Sequence, residues 1–413
     1  MTTAPPVATR VGDADLEAFR LAPGFRAAAT ACGLKPSGRP DLLWVVADTP
    51  GAAAGVFTTN RVAAAPVALD REHLARAADR IVAVVANSGC ANAVTGPRGM
   101  DDARRTATLA SQILGVAPEQ VLVLSTGVIG VFLDMEKIVR GLATLASAAA
   151  RTTAGDAARA ITTTDTVPKI AAVERTLPGG RFHVAGFAKG AGMIHPNMAT
   201  MLAVVTTDAR IQAPRLDQAL HRAVERSFNR ISVDGDMSTN DTVLALASGT
   251  SGVSVDEDTH EAFTGALTEV CASLARQVAR DGEGATRLVE IRVTGAGDET
   301  QAHRVGDAIA CSSLVKTAIH GNDPNWGRIL AAAGYSGARV EPERVRLWFG
   351  DMDEIALLER GLPLSFDRAA ASRLLARDPA VIHLDLGLGD AHATVWGCDL
   401  SAEYVRINAE YTT

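Results

Sequence analysis

The chain has 413 residues, 47% hydrophobic and 21% charged, with a net charge of −7. That is enough apolar material for two or three packed domains. Without long single-sign charge runs, the sequence offers no extended surface for nucleic acid or an anionic membrane. A protein that handles small molecules fits this balance best.

The N-terminal stretch Met1–Arg20 lacks an apolar core and carries Asp13, Asp15 and Glu17, so it reads as neither a secretory signal nor a transit peptide. No apolar run approaches the ~20 residues that span a bilayer. Five cysteines (Cys32, Cys90, Cys271, Cys311 and Cys398) are scattered without a paired or His-rich spacing. Reduced, mostly buried thiols are expected, with no disulfide framework and no metal site. The expected compartment is the cytoplasm.

In chain order, short Val/Ile/Leu runs at Leu42–Asp48 and Ile81–Asn87 read as strands covered on both faces. A helical pattern follows at Asp101–Leu114, then a strand at Val121–Ser125. Composition changes from Ala-rich to Thr-rich across Arg151–Asp165. A strand is expected at Met201–Thr207, a helix at Arg215–Arg230 and a strand at Thr242–Ser248. In Glu261–Asp281, Phe263, Leu267, Val270, Leu274 and Val278 lie at steps of 4, 3, 4 and 4, which makes one apolar helical stripe. Beyond a boundary placed near Gly284–Leu288, strands resume at Val289–Val293, Val345–Phe349 and Val381–Leu386. The class is α/β or α+β, with sheets between helix layers. The expected division is residues 1–288 and 289–413.

The most unusual stretch is Lys189-Gly-Ala-Gly-Met-Ile-His-Pro-Asn-Met-Ala-Thr200, which opens directly into an apolar strand. Gly190 and Gly192 do not make a dinucleotide loop, because no third glycine follows at the required spacing and a strand comes next. On composition alone the stretch is a tight turn into a buried strand. Ser125-Thr-Gly-Val-Ile-Gly130 is equally a strand-ending turn or a set of backbone donors at a strand end. Asp234, Asp236 and Asp241 lack the spacing of a calcium loop and read as turn chemistry.

The loop closely resembles the self-cleavage motif of the ornithine (glutamate N-) acetyltransferases of arginine biosynthesis. The resemblance extends through Asn87-Ser-Gly-Cys-Ala-Asn-Ala93, Ser125–Gly130, Thr163-Thr-Asp-Thr-Val-Pro-Lys169 and Asp234-Gly-Asp-Met-Ser-Thr-Asn-Asp241. It continues in Asp281-Gly-Glu-Gly-Ala-Thr286, His320-Gly-Asn-Asp-Pro-Asn-Trp-Gly-Arg328 and Tyr404–Thr413. These ordered motifs cover nearly the whole chain; Thr162 departs from the pattern, standing where methionine is more familiar. The resemblance implies an αββα sandwich in residues 1–288. It also implies a smaller second α/β lobe in 289–413, with a C-terminal tail that returns to the active site.

The chemistry of such a family is coherent. A threonine hydroxyl is a weak nucleophile without a base. Cutting the Ala199–Thr200 bond would create one on the same residue, since an α-amino group has a pKa near ~7.7–8.0. The resemblance makes Thr200 the nucleophile that carries acetyl, with Thr126 and Gly127 as the oxyanion hole. It makes Thr163, Thr164, Lys189, Thr200, Glu283, Asn408 and Thr413 the substrate contacts, without choosing between Thr163 and Thr164. The implied reaction is ping-pong transfer of acetyl from N2-acetylornithine to glutamate, giving ornithine and N-acetylglutamate. No cofactor or metal is implied, and some members also accept acetyl-CoA. Two fragments, 1–199 and 200–413, would stay together and pair as a heterotetramer. Two alternatives share the nucleophile: an N-terminal-threonine hydrolase or aminopeptidase, and a secondary-metabolism paralogue with other acceptors. His195 reads as a packing or solvent-facing residue, because the Thr200 amine makes another base unnecessary. His320 and Asn322–Arg328 belong to the resemblance without a role that can be derived.

Overall fold

A computed structural model describes residues 11–148, 152–195, 201–352 and 354–410. The expected cleavage bond, Ala199–Thr200, and the final residue Thr413 lie outside the described residues.

Eight strands form the first sheet, in the order β4 (Val121–Val128), β3 (Ile81–Cys90), β2 (Leu42–Phe57), β9 (Thr242–Ala247), β7 (Leu202–Thr207), β6 (Gly180–Lys189) and β5 (Lys169–Leu177), with β1 (Phe25–Thr30) also paired to β2. The long strand β2 organises it. Its first half pairs with β1 and β3, and its second half pairs with β9. A register shift between Val46 and Gly51 separates the halves, the kind of irregularity that bends a strand and increases its twist.

The bend lets the sheet fold over itself. Val84, Leu122 and Leu124 from one half share a buried cluster with Phe187, Val204 and Leu244 from the other. The outer face of the first half packs Trp44, Val85 and Val123 against Ala103 and Ala107 of the helix Gly96–Leu114 and Ile138 and Leu142 of the helix Met135–Ala148. The outer face of the second half packs Val184, Val205 and Val243 against Leu216 and Leu220 of the helix Ala213–Glu225. The helix His260–Arg280 completes that layer through Phe263, Leu267 and Leu274. The layers run helix, sheet, sheet, helix: an αββα sandwich. Each large apolar side chain buried this way is worth ~1.5–3 kcal/mol before entropy is counted.

The second sheet has seven strands, in the order β13 (Leu362–Pro363), β12 (Ile355–Glu359), β11 (Arg346–Phe349), β14 (Ala380–Asp385), β10 (Leu288–Ala296), β15 (Ala391–Cys398) and β8 (Ile231–Ser232). Its core joins Ile291, Val293, Ile382 and Val395 to Val305 and Ile309 of the helix Glu299–Cys311 and to Ala332 of the helix Trp326–Gly334. Strand β8 falls in the chain between β7 and β9 of the first sheet but pairs parallel with β15, so it couples the two sheets.

The expected strands are present, several of them longer than the apolar runs that signalled them. The hairpin β5–β6 was not read from the sequence. Strand β5 has mostly partly or fully exposed residues (KIAAVERTL, buried only at its ends), and its one apolar run, Ile170–Val173, is short and leads into Glu174, Arg175 and Thr176.

Candidate active site

Strand β4 ends at the turn expected to bind an oxyanion. Thr126 is 5% exposed, and its neighbour Ser125 is fixed through its carbonyl, which accepts a 2.8 Å bond from Asn240 Nδ2. The same amide nitrogen donates to the Ala91 carbonyl at 2.7 Å. Buried Asn240 therefore ties the end of β4 to the loop after β3. Gly127 lies beside Gly89 across the β3–β4 ladder, with φ of 133°. A Cβ there would stand 2.4 Å from the Gly89 carbonyl carbon, so both its conformation and its surroundings require glycine.

Lys189, the last residue of β6, is 3% exposed and donates from Nζ to Thr126 Oγ1 at 3.3 Å. With the ammonium on that oxygen, the Thr126 hydroxyl hydrogen must point elsewhere and is available to a ligand. Burial pushes the Lys189 ammonium below the usual lysine range, against the pull of Asp165, Asp241 and Glu283.

A buried ion cluster stands behind Lys189. Lys169 Nζ lies 2.6 Å from Asp165 Oδ1 and 2.6 Å from Asp281 Oδ2, and its side chain is fully buried. Asp165 also accepts from the Gly190 amide at 2.7 Å and the Thr163 amide at 2.9 Å. Burial alone would raise the Asp165 carboxyl, but Lys169 and Lys189 hold it well below the ordinary range. This carboxylate thus positions both the Thr163–Thr164 turn and the start of the Gly190–His195 loop.

Each step of that loop is held. Glu283 N donates to the Ala191 carbonyl at 2.7 Å. A Cβ on Gly192 would stand 2.4 Å from Glu283 Oε2, so a larger residue here would push this carboxylate from its place. Met193 is left-handed at φ 59°, a strained conformation for a residue with a side chain. Asp234 compensates by accepting from Met193 N at 2.6 Å and from Ile194 N at 2.8 Å. On the far side of residues 196–200, Asp241 Oδ1 accepts from Met201 N at 3.0 Å. Burial raises the Asp241 carboxyl well above the ordinary range, although the Met201 amide and Lys189 both favour its charged form.

Glu283 in turn accepts from Asn408 Nδ2 at 2.9 Å, which draws the C-terminal helix Ala402–Glu410 to the site. Thr126, Gly127, Thr163, Thr164, Lys189, Glu283 and Asn408 all line one cleft. Gly192, Met193, Ser238 and Asn240 line it with them. The structure thus brings together every expected site residue that it describes. Ala199, Thr200 and Thr413 lie outside the described residues.

Sequence reasoning missed the supporting residues. Asp165, Lys169 and Asp281 fall inside motifs that carry the resemblance, but nothing in their spacing announced that they meet. Asp234 makes one bond within its own turn, accepting from Asp236 N at 3.2 Å, but Asp234 and Asp241 also bind distant backbone, on the chain before and after residues 196–200. His320 also finds a place: its Nδ1 lies 2.7 Å from Asp399 Oδ2, and Asp399 accepts from Thr286 N at 2.7 Å and Arg287 N at 3.1 Å. Those bonds fasten the chain just after Glu283.

Comparison with known proteins places this arrangement in a family. The model of the ArgJ family matches residues 26–413. The arginine biosynthesis bifunctional protein ArgJ of Gloeobacter violaceus is 49% identical over 397 residues, covering 95% of this chain and 97% of that protein. The protein of the same name from Parasynechococcus marenigrum is 50% identical over 390 residues, covering 94% of each. A solved ornithine acetyltransferase from Mycobacterium tuberculosis, complexed with ornithine, is 42% identical, with a TM-score of 0.40 over 42% of this chain and 92% of that chain. On the match along nearly its whole length, the chain belongs to the ArgJ family of acyltransferases.

Proposed function

We propose that the chain cleaves itself between Ala199 and Thr200 and then carries acetyl on Thr200, moving it from N2-acetylornithine to glutamate. One observation carries this reading: the cleft gathers Thr126, Gly127 and Lys189 with Glu283, beside two carboxylates that hold the chain on either side of residues 196–200.

Cleavage begins with attack of the Thr200 hydroxyl on the Ala199 carbonyl, which breaks the C–N bond and forms an ester. Water then hydrolyses that ester, leaving a carboxylate on Ala199 and a free amine on Thr200. In transfer, this amine takes the hydroxyl proton as Thr200 attacks the acetyl carbonyl of N2-acetylornithine. Thr126 and Gly127 stabilise the oxyanion, and the proton passes to the departing ornithine amine. Glutamate then attacks the acetyl-enzyme, and N-acetylglutamate leaves with Thr200 restored. Lys189 suits a substrate carboxylate, and Glu283 suits the ornithine side-chain ammonium. Thr163 or Thr164, with Asn408 and Thr413, completes the substrate contacts.

The same reading includes a main domain, residues 1–288, a second lobe, 289–413, and a cytoplasmic heterotetramer of two fragment pairs. It allows acetyl-CoA as a second acetyl donor. No described helix is long and apolar enough to cross a membrane.

The deciding experiment is a denaturing gel with an activity assay. Wild-type protein should run as two fragments of similar size, and Thr200→Ala as one inactive full-length band. Full-length wild-type protein with robust turnover would overturn the mechanism. Acetate release from N2-acetylornithine at the same rate with and without glutamate would make the enzyme a hydrolase instead.

A further inference from the structure

We propose that His195, Asp307 and Cys311 form a binding site for a zinc-class divalent cation, which fastens the loop before residues 196–200 to the second sheet's helical layer. Each residue offers one ligand atom, and these atoms all lie within 4.8 Å of one another. Asp307 and Cys311 are four residues apart on the helix Glu299–Cys311, so one turn places both side chains on the same face. His195 reaches them from the loop after β6.

The spacing suits tetrahedral coordination. Zinc binds a thiolate at about 2.3 Å and an imidazole nitrogen or carboxylate oxygen at about 2.0–2.2 Å, so neighbouring ligand atoms stand about 3.5 Å apart. Cys311 Sγ lies 3.4 Å from His195 Nδ1 and 3.5 Å from Asp307 Oδ1. Ser232 Oγ lies 3.3 Å from the same sulfur, and a bound water would supply the fourth ligand. A thiolate, a carboxylate and a neutral imidazole together balance a doubly charged cation. All three residues are only partly buried, which leaves an entry path.

The consequence is mechanical. Ile194 is already held, since its carbonyl accepts from Val233 N at 2.8 Å and its amide donates to Asp234. A cation on His195 would extend that anchoring by one residue, to a helix packed on β10 and β15. No local spacing signals this group, because His195 and Cys311 are 116 residues apart.

The test uses full-length Thr200→Ala protein and the wild type in parallel, so that binding is read independently of cleavage. Chelator-stripped protein is dialysed against buffered zinc and its metal content measured. One tightly held zinc ion per chain is expected in both, with loss in Cys311→Ser and in His195→Ala. Cobalt(II) in place of zinc should give a thiolate charge-transfer absorption that Cys311→Ser abolishes while Asp307→Asn shifts it. Zinc should raise the thermal midpoint of the parent protein and leave that of Cys311→Ser unmoved. Equal zinc content in parent and Cys311→Ser, or cobalt bound without the thiolate band, would sink the proposal and leave a hydrogen-bonded Cys–His pair.

Discussion

Asp241 accepts a hydrogen bond from the backbone amide of Met201 at 3.0 Å, on the residue that follows the expected nucleophile. The carboxylate is completely buried, so losing it leaves an amide without its acceptor inside the protein. Such a loss costs about 1–3 kcal/mol, and each 1.4 kcal/mol is a factor of ten in rate. Asp241→Ala should therefore slow the appearance of the two fragments roughly 5- to 100-fold. Asp241→Asn keeps an oxygen acceptor and should cleave close to the wild-type rate. Timed gels of freshly synthesised chain compare them; equal rates for the alanine variant and wild type would remove Asp241 from this role.

Thr126 separates the oxyanion role from substrate binding. Thr126→Val keeps the shape and removes the hydroxyl. If that hydroxyl meets a developing oxyanion, kcat should fall by roughly 100- to 1,000-fold while KM changes little. Thr126→Ser should recover most of the rate. A fall confined to KM would make Thr126 a ground-state contact.

Lys189 should impose a pH limit. Its pKa is lowered, chiefly by burial, so it loses its charge at lower pH than an ordinary lysine, whose pKa is ~10.4. A carboxylate substrate needs the charged form. KM for glutamate should rise as pH climbs through the lowered pKa, before an ordinary lysine would titrate. Lys189→Met should show a high KM with that alkaline rise gone. An unchanged profile in Lys189→Met would assign the carboxylate to another group.

The legible part of this molecule was the part written in local chemistry. The stripe Phe263–Val278 fixed a buried helix because one side of 3.6-residue periodicity must find a core. Thr126, Lys189 and Glu283 could be picked out because their motifs match a family, although composition alone left each with an ordinary explanation. Residues that act over long sequence separations were not legible. Asn240 reaches Ala91 and Ser125, and Lys169 pairs with Asp281, 112 residues away. Only the bent sheet brings them together, and neither spacing nor periodicity records that bend.

The buried cluster of Lys169 with Asp165 and Asp281 gives the sharpest stability prediction. Removing the cation strands two carboxylates in the interior, and breaking such a buried pair costs about 3–5 kcal/mol. Lys169→Met should lower the unfolding midpoint by many degrees. Neutralising one of the two carboxylates with Asp281→Asn in the same chain should recover part of the loss, because one stranded charge is then gone. Acid should act on the same cluster. Asp165 titrates below its unfolded value, so the unfolded state binds protons first, and its contribution is complete above the unfolded pKa of ~3.9. That contribution is lost as pH falls from there through the depressed native value. Thermal melts of wild type and of Asp165→Asn should therefore keep a constant gap from neutral pH to about pH 4 and converge from there towards pH ~3. A gap that stays constant down to pH ~3 would show that Asp165 is not charged in the native state at neutral pH.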